Sequence, residues 1–236
     1  MILNGGYNYY GIPLGVISLD SRFPKPSNHI KHPASFDFPI LYKTVKGATV
    51  ARLIAERDPA LLEPFLDAAR ELEQEGVKAI TGSCGFLALY QKEIAAAVSI
   101  PVFMSSLIQV PLVSRMLGAG RQVGIVVADE NSLTKDHLHG VGIAHEPIAI
   151  AGMQDQAQFR DVILHAKRND LDMSLFAAEL DNVVDSLITQ NSGVGALVLE
   201  CTDLSHFAPA LQQRTGLPVF DLSSLARMVV GGVHPG

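Results

Sequence analysis

The sequence predicts an α/β protein made of two pseudo-symmetric lobes, each a parallel sheet flanked by helices, with the functional site in the cleft between them. Three observations lead there. Short runs rich in Val and Ile alternate with longer stretches of helical period, the pattern of repeated βα units. Hydrophobic residues make up 48% of the chain and charged residues only 18%, the balance of a parallel sheet covered on both faces. One half of the chain also echoes the other.

The expected strands, in order, are Ile12 to Ser18, Val77 to Thr81, Val102 to Met104, Val123 to Val127, Ile143 to Ile150, Ala196 to Leu199 and Val219 to Phe220. Asp58-Pro59 supplies an N-cap and a first-turn proline, Leu61, Leu62, Phe65, Ala69 and Leu72 form an apolar stripe, and Gly76 offers a left-handed stop; together they predict a helix. A second long helix is expected from about Leu171 to Gln190, with Leu175, Phe176, Leu180, Val183, Val184 and Leu187 on one face. Met153 and the following residues read as a loop entering a helix, with Gln154 to Gln158 as a solvated face. Phe23 to Pro39, with four prolines, is long for a simple connection and is expected to cover the cleft.

Residues 76–106 align without a gap on residues 193–223, and nine pairs are identical: Gly76/Gly193, Val77/Val194, Ala79/Ala196, Cys84/Cys201, Leu87/Leu204, Pro101/Pro218, Val102/Val219, Phe103/Phe220 and Ser106/Ser223. Gly15 to Ser18 (GVIS) similarly echoes Gly124 to Val127 (GIVV). A period of roughly half the chain implies two similar lobes, one comprising 1–108 plus 219–236 and carrying Cys84, the other 109–218 and carrying Cys201. The two cysteines of the chain therefore fall on equivalent positions.

That equivalence gives the chemistry. In a parallel sheet, ligands bind beyond the carboxyl ends of the strands, where helices begin with free N–H groups. Both cysteines are placed there, and a thiol at a helix N-terminus is expected to have its pKa lowered towards neutrality. Two such sulfurs on opposite sides of one cleft suit proton removal from, and return to, a carbon beside a carboxylate. The site must also offer donors to that carboxylate, and the N–H groups of Gly85, Phe86, Thr202 and Asp203, with the hydroxyls of Ser83 and Thr202, are candidates.

Composition narrows the partner. A formal net charge of -6 and the lack of a Lys/Arg cluster argue against nucleic acid and for a small molecule, which the cysteine chemistry makes a small-molecule carboxylate. No 18-residue apolar stretch occurs, and the first 20 residues lack the basic start and apolar run of a signal peptide, which predicts a cytoplasmic protein without a membrane partner. Two cysteines 117 positions apart fit neither a disulfide scaffold nor structural zinc. His29 with His32, and His137 with His139, lack supporting ligands at metal spacing, so no metal is expected. His206 reads as surface, and Arg22 and Lys43 as solvated loop cations.

The chain also resembles the aspartate/glutamate racemase superfamily over nearly its full length. The resemblance is strongest at EGVKAITGSCGFL and GALVLECTDL, similar to the family's two cysteine motifs, and at VGIVVADENSLT, similar to the segment opening its second lobe. It implies two lobes, no pyridoxal phosphate, no metal or other cofactor, and a homo-oligomer. It also implies that Cys84 and Cys201 are the acid/base pair, that Ser132 and Thr202 contact substrate, and that Asp20-Ser21 assists a cysteine; Asp20 on its own could equally be a strand-end turn residue. Three departures stand out. Cys84-Gly85-Phe86 replaces the Cys-Asn-Thr of relatives acting on acidic amino acids, Glu200 precedes the second cysteine where Gly is usual, and Arg22-Phe23-Pro24 replaces a glycine-rich run. A racemase or epimerase of a small carboxylic acid, of the aspartate or glutamate type, is the leading expectation. Maleate-type isomerisation, malonate-type decarboxylation and a non-catalytic small-acid-binding protein are the alternatives.

Overall fold

The computed structural model describes residues 5–233. Two four-stranded sheets, all parallel, carry the same strand order. The first is β2-β1-β3-β4, formed by β1 (Leu14–Leu19), β2 (Ile40–Val45), β3 (Ala79–Gly82) and β4 (Val102–Phe103). The second is β6-β5-β7-β8, formed by β5 (Gln122–Val127), β6 (Ile148–Gly152), β7 (Val194–Leu199) and β8 (Val219–Phe220). The repeat thus extends to the topology of both lobes.

The helices are α1 (Val50–Ile54), α2 (Leu62–Glu75), α3 (Gln91–Ala97), α4 (Val110–Met116), α5 (Lys135–Gly140), α6 (Ala157–Phe159), α7 (Met173–Gln190), α8 (Ala208–Thr215) and α9 (Leu222–Val233). The predicted caps are present at Asp58, which accepts from Ala60 N–H, and at Gly76, which closes α2 at φ 101°. The helix α7 starts on a cap that was not expected, Asp172, which accepts from Ser174 and Leu175 N–H, and Leu175, expected on its apolar face, is exposed. Gly15 and Gly124 hold equivalent places in the central strands, where a β-carbon would press on Leu72 and Val77, or on Leu187, Val194 and Leu197. Their bareness lets the covering helix approach the sheet.

Each lobe lends a helix to the other. The segment after β4, with Leu107, Val110 and Val113, packs on Val123, Ile125, Val127 and Val198 of the second sheet. Conversely, Leu222, Leu225, Ala226 and Val230 of α9 pack on Leu14, Val16, Ala79 and Phe103 of the first. The exchange at the C-terminal end begins after Phe220, because Val219 and Phe220 pair with β7; residues 219–220 belong with the second sheet and not, as expected, with the first lobe.

Three other expectations are corrected. Ile40–Val45, rich in strand-forming residues but absent from the expected strands, is an edge strand whose residues are mostly half-exposed. The strand before α6 starts at Ile148 rather than Ile143, since Glu146 turns the chain by accepting from the N–H groups of Ala144 and His145. Gln158 is buried and donates to Asp172 O at 2.5 Å, with its own N–H on Glu179, so that end of the polar run is internal. No helix among the described residues is long and apolar enough to cross a membrane.

Candidate active site

In both sheets the chain crosses from one side of the first strand to the other between its second and third strands, and such a reversal opens a crevice at the strands' carboxyl ends. The two crevices face each other. Leu19 and Ser21 from the end of β1, Ser83 and Cys84 after β3, Ala128 after β5, and Glu200 to Asp203 after β7 line one small cavity of about 20 Å³, room for one water-sized body. Phe23 and Lys25 close it from one side, with Val50, Ile54 and Ile163. An outer cleft of about 480 Å³ shares Ser21, Phe23, Val50 and Ile163 with it, so Phe23 stands between the cavity and the wider space outside.

The cover comes from the long proline-containing segment, tied to the second lobe by polar contacts. Lys25 Nζ lies 3.0 Å from Asp203 Oδ1 and sits over the Phe23 ring, 3.2 Å from its centre. Asn28 Nδ2 donates to Ser205 O at 2.8 Å. Fully buried His29 accepts at Nδ1 from Lys31 N–H at 2.8 Å, which leaves the proton on Nε2 to face Thr202 Oγ1 at 3.1 Å and Asp203 Oδ1 at 3.3 Å. Thr202 Oγ1 donates onward to Ser83 O at 2.8 Å, joining the lobes. Burial pushes His29 down to about 4 despite Asp203 beside it, so the His29 contact to Asp203 is a hydrogen bond of a neutral ring.

Electrostatics overturn the expectation of acidic thiols. The N–H of Phe86 faces Cys84 and that of Asp203 faces Cys201, each favouring a thiolate. Burial outweighs them, and Glu200 and Asp203 add to it, so both thiols are held well above their ordinary range. Asp203 behaves oppositely: burial alone would raise its carboxyl, but Lys25 and His29 together hold it well below the usual carboxylate range. Lys31, donating to Leu19 O at 2.9 Å and Ser21 Oγ at 3.2 Å, is pushed down to about 8 by burial and by Lys25. Cys201 Sγ donates to Asp203 Oδ2 at 3.7 Å.

Cys84, Cys201, Ser21, Ser83, Thr202 and Asp203 of the expected site line this one cavity. Four others lie elsewhere. Asp20 accepts from Gly47 N–H at 3.1 Å and borders only the outer cleft. Ser132 donates to Asp129 Oδ2 at 2.6 Å, away from the cavity. Gly85 backs onto Glu200, and Phe86 is buried edge-on against His137. Of the side chains not expected there, Lys25 and Glu200 line the cavity while His29 and Lys31 support it. The signal for Glu200 was its departure from the usual glycine beside Cys201. Among the described residues no group of three or more His, Cys, Asp or Glu side chains is arranged to hold a metal ion.

Solved structures share this fold. Allantoin racemase from Klebsiella pneumoniae superposes with a TM-score of 0.62 at 20% identity, covering 94% of this chain and 86% of that one. Aspartate racemase from Picrophilus torridus gives 0.59 at 14%, covering 94% of each chain, and an arylmalonate decarboxylase 0.59 at 14%, covering 95% and 93%. No protein-family profile matches the chain. Dimethylsulfoniopropionate lyase 3 of Emiliania huxleyi is 31% identical over 218 residues, 88% of this chain and 56% of the relative, so the chain spans little more than half of that protein. The dimethylsulfoniopropionate lyase of Durusdinium sp. clade D is 30% identical over 226 residues, 93% of this chain and 74% of the relative. The chain shares the fold of these racemases and of the decarboxylase, and by sequence it belongs to the family of the dimethylsulfoniopropionate lyases.

Proposed function

We propose that this chain removes a proton from the carbon next to the carboxylate of a small acid and expels a group from the neighbouring carbon, and that its substrate is dimethylsulfoniopropionate. The observation that carries the reading is the inequality of the two thiols. In the repeat, Asp203 is equivalent to Phe86 and Thr202 to Gly85, so Cys201 has a carboxylate partner at 3.7 Å and Cys84 has an apolar ring. Racemisation needs a base on each face, whereas elimination needs one. The relatives at 30–31% identity are named as lyases, which favours the same choice.

In this reading the substrate carboxylate draws Lys25 away from Asp203. Asp203, released from its cation, becomes a better acceptor for the Cys201 proton, and the thiolate so formed takes the α-proton. The electron pair left on carbon forms the double bond, the bond from the β-carbon to sulfur breaks, and neutral dimethyl sulfide leaves together with acrylate. The closed cavity is too small for the substrate, so the segment bearing Phe23 and Lys25 moves outward first. Racemisation of a small amino acid stays the second reading, favoured by the placement of both cysteines on one cavity.

The test is to incubate the purified protein with dimethylsulfoniopropionate and measure dimethyl sulfide in the headspace, alongside Cys84→Ala and Cys201→Ala. The expected result is release that is lost with Cys201→Ala. No release, together with α-proton exchange in heavy water on amino acids, would transfer the assignment to a racemase.

A further inference from the structure

Glu200 is the least explained group in the cavity. It follows β7 directly and is fully buried. Its Oε2 accepts from Ala128 N–H at 3.0 Å, its Oε1 has no partner, and it enters none of the ion pairs among the described residues. Room for it is made by Gly85, whose absent β-carbon would collide with both the carboxyl and the carbonyl oxygen of Glu200. The pseudo-symmetric position in the first lobe is Ser83, so one lobe alone supplies this carboxyl. A buried polar atom without a partner calls for an explanation. Here it belongs to a residue that lines the cavity with both cysteines.

We propose that Glu200 serves the reaction as a neutral carboxylic acid that donates a hydrogen bond from Oε1 to the substrate carboxylate. The bond to Ala128 N–H keeps Oε2 an acceptor, which leaves Oε1 to carry the proton. The groups facing it are Asp203, Cys84 and Cys201, with Lys25 committed to Asp203. An ionised Glu200 would therefore add a further negative charge beside Asp203, a thiolate and the substrate. Burial, assisted by Asp203 and opposed by the Ala128 N–H, pushes it up to about 8. When the α-proton leaves, charge builds on the carboxylate oxygens, and a donor fixed there stabilises the transition state more than the ground state. This deepens the carbon-acid reading above and rests on it for its chemistry, though not for its protonation state.

Two measurements test it. The first needs no turnover: infrared difference spectra of ligand-free wild type against Glu200→Gln between pH 6 and 10 should show a protonated carboxyl band that vanishes as pH passes about 8. In parallel, calorimetry with propionate should give an affinity that falls above that pH in wild type and stays level in Glu200→Gln; a fall persisting in the variant would assign the titration to Lys31, also near 8, and overturn the proposal. The second is kinetic. Glu200→Gln, which keeps a donor, should retain kcat within about 10-fold, while Glu200→Ala should lose about 10²–10³-fold. A missing carboxyl band with Gln as damaging as Ala would show an ionised Glu200 and refute the proposal. If wild type neither releases dimethyl sulfide nor exchanges α-protons, the activity reading fails, yet the infrared and propionate results still decide this one.

Discussion

Cys201 Sγ donates to Asp203 Oδ2 at 3.7 Å, and that carboxylate is in turn held by Lys25 and His29. Asp203→Asn removes the acceptor charge for the thiol proton and leaves Lys25 without its anion. Turnover of the active protein should fall about 10²-fold or more, and loss of the buried pair should cost about 3–5 kcal/mol in urea unfolding. An Asn variant with unchanged kcat and midpoint would make the contact incidental.

Acid should weaken the fold through the same network. His29 is lowered from 6.5 to about 4 by burial, so the unfolded chain binds its proton first. Stability is complete above about 6.5, declines as pH falls from there to about 4, and levels off below, a loss of roughly 3 kcal/mol. Asp203, depressed by Lys25 and His29 against the opposing effect of burial, adds stability that is present above the ordinary carboxylate range and lost at still lower pH. Urea midpoints at pH 7 and pH 5 should differ in wild type and converge in His29→Gln.

Alkylation should report the state of the thiols. Both are held above their ordinary range by burial and by the nearby carboxylates, so iodoacetamide should label the ligand-free protein far more slowly at neutral pH than a free thiol. Cys84, partly exposed, should react before the buried Cys201, with peptide mass spectrometry giving the order. Rapid labelling of Cys201 would mean that the cavity opens readily without a ligand.

Gly85→Ala places a methyl group against the carboxyl and carbonyl of Glu200. The expected outcome is a destabilisation of about 1–3 kcal/mol, together with loss of activity as Glu200 is displaced, measured by unfolding and by dimethyl sulfide release. Gly85→Ala combined with Glu200→Ala should recover only part of the stability, because the carbonyl collision remains.

Much of the fold was legible because its signals are local. The cap Asp58, the stop at Gly76, the apolar stripe of α2 and that of α7 apart from the exposed Leu175 act within a few residues, and the repeat around Cys84 and Cys201 is written in identities. Ile40–Val45 carries strand-forming residues yet is missing from the expected strands; what its own residues could not give is its place at the sheet edge, which comes from pairing with β1.

What the sequence determined by itself is the two-lobed α/β architecture and the equivalence of the two cysteines, because strand and helix periods and a repeated motif survive without knowledge of packing. Only the tertiary structure decided which neighbours those cysteines have. Lys25 and His29 reach Asp203 from 178 and 174 positions away, by way of a segment of the first lobe laid across the second. The sign of the thiol shift depended on the same packing: a helix N-terminus lowers a thiol pKa, but burial beside Glu200 and Asp203 raises it further, and burial is a property of the closed cavity that no stretch of sequence contains.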